Sequence, residues 1–71
     1  MAQFNHEQYD ALESAVAHGR RVAIFRRGSE YIVVPLRLTQ RGGREIIETR
    51  NPTTGDRQTF FLDEVDGFDV V

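Results

Sequence analysis

The sequence predicts a mainly β domain, in which one N-terminal α-helix is followed by a five-stranded, strongly bent antiparallel barrel. Three observations predict it. Residues 4–19 carry helix start and stop signals around apolar residues at helical spacing. From residue 21 onward the hydrophobic period changes to two, with turn-forming clusters between the runs. Tyr31–Gln40 is a long extended run with Pro35 near its middle. Proline cannot donate to a ladder, so Pro35 belongs at a bend or an edge, and a bent strand can serve two sheets at once.

The helix is expected over residues 6–18. Asn5 and Gln8 have capping-box spacing, and Phe4 and Tyr9 can form a hydrophobic staple across that cap. Tyr9, Leu12 and Val16, flanked by Ala11 and Ala15, form the apolar stripe. His18 suits the negative end of the helix dipole, and Gly19 is a left-handed stop. The barrel is expected over residues 21–71. Its first strand is Val22–Phe25, with a turn at Arg27-Gly28-Ser29. The proline strand follows, with Ile32, Val34, Leu36 and Leu38 on one face and Tyr31, Val33, Pro35, Arg37 and Thr39 on the other. Arg41-Gly42-Gly43-Arg44 is a turn, Glu45–Glu48 a short strand, and residues 51–56 a loop of turn formers. Gln58–Leu62 and Val65–Val71 complete the sheet around a turn at Asp63-Glu64.

Seventy-one residues form a single domain, 1–71, with a thin core and a stability on the order of 3–5 kcal/mol. Without cysteine, no disulfide or thiolate zinc site can staple it, so self-association is one route to added stability. The first ten residues lack the basic start and apolar core of a signal peptide, and no apolar run approaches the ~20 residues of a membrane span. The expectation is a cytoplasmic protein without a membrane partner.

Charge is unevenly distributed although the net is −2. All nine basic residues are arginines between Arg20 and Arg57, against four acids in that window, a local +5. Three acids precede it and four follow. Arginine suits phosphate because its planar fork donates two parallel hydrogen bonds. A GC-rich coding sequence accounts for the lack of lysine as simply.

The stretch Val33-Val34-Pro35-Leu36-Arg37-Leu38 and the closing segment Arg57–Val65 carry a family likeness. Helix plus five strands resembles the Sm-like (SH3-type) barrel, and Val22–Val71 more narrowly resembles a WYL domain. The resemblance implies a regulatory, non-enzymatic module, divergent and stand-alone. Two departures stand out: Glu45-Ile46-Ile47 replaces the Trp-Tyr-Leu triplet, and Glu64 replaces the arginine of the family's Leu-Asp-Arg-Ile. In the family those positions help form a ligand or nucleic-acid site, which is therefore altered here. Relatives usually carry a winged-helix DNA-binding domain as well, which one helix cannot supply.

Catalytic and metal chemistry find no support. His6 and His18 are twelve residues apart on one helix, ~18 Å along its axis, too far to share a metal. A calcium loop centred on Gly67 would put Leu62 at its first ligand position. The acids there better serve to limit edge-to-edge aggregation. Ser14 and Ser29 lack the context of a nucleophile, and Gly42-Gly43 lacks a phosphate-loop lysine. No cofactor is expected.

Two binding surfaces remain. Phe25, Val33, Pro35 and Phe61 are apolar on the faces opposite the main core stripe, more than one helix can cover, which predicts an exposed patch and a homo-oligomer. Arg26, Arg37, Arg50 and Arg57, with Tyr31 or Phe61 for stacking, form a candidate nucleic-acid or nucleotide surface. The bland alternative pairs these arginines with Glu30, Glu45, Glu48 and Asp56.

Overall fold

The structure, a computed structural model, describes residues 4–71. Its elements are α1 (His6–His18), β1 (Val22–Arg26), β2 (Ser29–Arg41), β3 (Arg44–Arg50), β4 (Arg57–Phe61), a 3-10 turn at Leu62–Glu64, and β5 (Gly67–Val70). The Asn5 side chain accepts from the Gln8 N–H, and the Gln8 side chain accepts from the Asn5 N–H, each at 2.8 Å. Phe4 and Tyr9 meet edge to face with centroids 6.2 Å apart, so cap and staple both form as the spacing predicts. Gly19 ends α1 in the left-handed conformation, and its N–H and that of Arg20 return to the last turn.

The strands form one antiparallel sheet in the order β4-β3-β2-β1-β5. Two tight hairpins join the first three: Arg27-Gly28 and Gly42-Gly43 each take the paired positive φ that suits the right-handed twist of the flanking strands. β2 does double duty. Its first half pairs with β1, from Arg26↔Ser29 to Val22↔Val33, and its second half pairs with β3, from Val34↔Arg50 to Arg41↔Arg44.

Between Pro35 and Arg37 the register of β2 against β3 shifts by one residue. A bulge bends a strand and reverses which side chains face inward. Before it, Tyr31 and Val33 share the inner face with Ile24 and Val22; after it, Leu38 faces inward with Ile47 and Phe60. A single unbroken alternation along the proline strand is therefore incorrect. Val33 (2% exposed) and Pro35 are buried rather than part of an external patch, and Phe25 and Phe61 are half-buried. Ile32, expected with the core stripe, is 41% exposed. Parity, corrected for the bulge, explains the exchange of Val33 and Pro35 with Ile32.

One core holds the wrapped sheet and helix together: Leu12 and Ala15 from α1 join Val22, Ile24, Val33, Ile47, Phe60, Leu62 and Val65. β4 and β5, the ends of the sheet order, are not paired among the described residues. The 3-10 turn lies between them in the chain and buries Leu62, with Val65 buried just after it. The sheet thus wraps strongly without a hydrogen-bonded seam at that position. No helix among the described residues is long and apolar enough to cross a membrane.

Leu12 is 1% exposed and ties helix to sheet. Leu12→Ala is expected to cost about 2–5 kcal/mol, comparable with the whole stability of a domain of this size. Urea denaturation should show a largely unfolded variant in buffer; a wild-type midpoint would show that α1 is not integral to the core.

Candidate functional site

The register of the strands lays the outer face of β2, β3 and β4 in rows. Val34, Arg50 and Arg57 form one row, Arg37, Glu48 and Thr59 the next, and Thr39, Ile46 and Phe61 the third. Arg37 does not stand free: its guanidinium reaches Glu48 at 2.8 Å across the strand pair. Arg50 and Arg57 differ. They lie directly opposite each other, and neither has an acidic partner within ion-pair distance among the described residues. Like charges facing across a strand pair are destabilising in water alone.

The loop after Arg50 fixes this arrangement. The Asn51 side-chain oxygen accepts from the N–H groups of Thr53 and Thr54 at 2.8 and 3.0 Å. The Asn51 backbone N–H donates to the Asp56 carbonyl at 2.8 Å, and the Asn51 backbone carbonyl accepts from the Gly55 N–H at 2.9 Å. Asp56, the acid nearest Arg57 in sequence, forms no ion pair with it. Two fork donors at cross-strand partner positions, without a carboxylate in ion-pair distance among the described residues, suit an anion such as a phosphate group.

Arg26 occupies a different position. Its guanidinium lies 5.2 Å from the centroids of both Tyr31 and Phe60, and donates a long 3.4 Å hydrogen bond to the Tyr31 hydroxyl. The two rings are tilted against each other at 5.3 Å. Arg26 and Tyr31 are half-buried, whereas Phe60 is fully enclosed. Arg26 also lacks an acidic partner among the described residues, so its remaining N–H groups are available beside an aromatic surface. Five residues were expected to converge. The structure brings Arg26 to Tyr31 and Arg50 to Arg57, and commits Arg37 elsewhere.

Sequence reasoning missed Phe60 as the second wall for Arg26 and assigned stacking to Phe61. The pairings Ile47↔Phe60 and Ile46↔Phe61 decide the matter, since they put the two phenylalanines on opposite faces. It also missed Arg44, read only as a turn residue. Arg44 makes a two-pronged contact with Asp63 at 2.7 and 2.9 Å, reaches Glu64 at 3.1 Å, and lies 3.8 Å over the Phe61 ring. Glu64, at the position where the resemblance has arginine, thus serves to hold the 3-10 turn to β3. The triplet Glu45-Ile46-Ile47 is structural too: both isoleucines are buried, and Glu45 accepts a 2.6 Å hydrogen bond from Tyr9. That bond raises the tyrosine's pKa, with burial contributing in the same direction.

No family model and no curated protein matches the sequence. Among solved structures the chain is similar to Proteasome accessory factor B/C (PafBC) of Arthrobacter aurescens, with 22% identity and a TM-score of 0.74 over 96% of this chain. The match spans 12% of that protein's length. At this identity the likeness establishes a shared fold.

The Arg44 hydrogen bonds hold the Asp63 carboxyl below the usual carboxylate range. A depressed folded pKa gives stability that is present above the unfolded carboxylate pKa, about 3.9, and is lost as pH falls through the folded value. Asp63→Asn should therefore flatten the acid limb of the urea midpoint below about pH 4. A limb identical to wild type would show that the pair contributes nothing to acid sensitivity.

Proposed function

We propose that this chain is a non-enzymatic regulatory module of WYL type that binds an anionic, nucleotide-class ligand through its arginine surface. The observation that carries the reading is the Arg50–Arg57 pair, two arginines at directly opposed positions of β3 and β4 with no acidic partner among the described residues. Five donors on each planar fork, in a row adjoining the neutralised Arg37–Glu48 pair, favour the oxygens of a phosphate. Arg26 stands apart from this pair, over Tyr31 and Phe60, whose register puts them on the inner face of the sheet. The neighbour's name describes an accessory factor, which supports a regulatory role over a catalytic one.

The absence of a Trp-Tyr-Leu triplet moves the supported site. Its replacement, Glu45-Ile46-Ile47, lies at the start of β3 and is used for packing, whereas Arg50 is at the far end of that strand, opposite Arg57 of β4. A second reading is self-association, and it rests on Ile32, Val70 and Val71, the large apolar residues left exposed among the described residues. Sedimentation supports it if a dimer forms at micromolar concentration; a strict monomer removes it.

Oligonucleotide and mononucleotide binding measured against salt tests the first reading. Each phosphate contact contributes about 0.7–0.9 to the slope of log affinity against log salt. Replacing Arg50 and Arg57 together by alanine should lower the slope by about 2, while Arg37→Ala changes it little because Glu48 already neutralises that cation. Binding by the oligonucleotide alone would identify a strand rather than a single nucleotide as the ligand. Absence of binding at low salt, or an unchanged slope in the double variant, would overturn the proposal.

A further inference from the structure

A second surface lies at the β5 end of the sheet order and has the opposite charge. β5 ends the sheet order, so only one of its edges, the one against β1, is paired. The Val71 N–H donates to the Arg21 carbonyl at 2.9 Å, which fixes the phase of that ladder. Antiparallel pairs alternate between bonded and non-bonded. In the register Val22↔Val70 and Ile24↔Phe68, this alternation turns the N–H and C=O groups of Phe68 and Val70 to the open edge. Among the described residues nothing bonds to them there.

Beside this edge runs a shallow groove of about 360 Å³ between α1 and β5, lined by Glu7, Gln8, Ala11, Phe68, Asp69 and Val70 among others. Its floor is partly apolar: Phe68 is half-buried against Phe4, with ring centroids 5.4 Å apart, and Val70 is 37% exposed. Its charge is wholly negative. Glu7 and Asp69 are exposed and unpaired among the described residues, and no arginine lines the groove. The β5 edge and the groove thus offer backbone donors and acceptors, an apolar floor and acids on both sides.

We infer that this edge receives an extended segment of a partner protein that alternates apolar and basic residues, adding a strand to β5. In that geometry successive side chains of the incoming strand point to opposite faces. One set meets Phe68, Val70 and Ala11. The other meets Asp69, on the face that β5 shares with Ala23 and Ile32. Glu7 at the first turn of α1 attracts a basic residue at the margin of the floor. The same acids disfavour a second copy of β5, because antiparallel edge pairing would bring the Asp69 carboxylates of two chains together.

The test uses the full chain, a twelve-residue peptide alternating valine and arginine, and a control alternating valine and glutamate. Binding is followed by fluorescence anisotropy and by amide hydrogen exchange. The expected result is micromolar binding of the basic peptide alone, slowed exchange at Phe68 and Val70, and at least a tenfold loss of affinity in Glu7→Gln/Asp69→Asn. Replacing Val70 by proline, which removes one edge donor, should weaken binding as well. The inference is overturned by equal binding of both peptides or by unslowed exchange at these amides. It is also overturned if Glu7→Gln/Asp69→Asn self-associates while the wild type ignores the basic peptide, since the acids would then only guard the edge.

Discussion

The one-residue register shift between Pro35 and Arg37 is the constraint on which the rest of the structure depends. Without it, β2 would send the same alternate residues inward along its whole length, and one half would turn its apolar side chains to water. With it, Tyr31 and Val33 in one half and Leu38 in the other reach the same core. Proline suits this place because the missing N–H removes a ladder bond where the ladder is already interrupted. The bend in turn lets β3 and β4 fold over the core while β1 and β5 remain on the other side of β2.

The distribution of charge follows from this parity. On β3 and β4 the inner face takes Ile47, Thr49 and Phe60, and the outer face receives Arg44, Glu48, Arg50 and Arg57. Two of the outward arginines on this side of the sheet are used within the chain. Arg37 pairs with Glu48, and Arg44 binds the 3-10 turn while covering Phe61. Arg41, at the end of β2, and the Arg50–Arg57 row have no acidic partner among the described residues, and only in that row do two such arginines face each other; its loop is held by backbone and Asn51 contacts instead of by neutralising the cations. Surface ion pairs add little stability, so the cost of leaving two arginines unpaired is small for a domain of this size.

Local signals were fully legible in the sequence. The Asn5–Gln8 cap, the Phe4–Tyr9 staple and the Gly19 stop gave the helix its limits, because each depends on residues within four positions of one another. The strands were legible to within a few residues for the same reason. The bulge was not, since a residue that drops out of a ladder leaves no mark on hydrophobic period when both neighbours are apolar, as Val34, Pro35 and Leu36 are. Every misplacement descends from that one residue or from cross-strand register: Val33 and Pro35 in an external patch, Ile32 in the core, Phe61 in place of Phe60 beside Arg26. Arg44 escaped notice because its carboxylate partners lie about twenty residues away, beyond the reach of local pattern.

The central claim is that two arginines on the outer face of β3 and β4 form an anion site because no acid among the described residues neutralises them. Nitrogen-15 NMR of the arginine side chains during titration with a short single-stranded oligonucleotide examines it most directly. The account predicts that the Nε–H resonances of Arg50 and Arg57 shift and sharpen together, while those of Arg37 and Arg44 stay in place. Shifts confined to Arg37 or Arg44, or none at Arg50 and Arg57 at low salt, would contradict it.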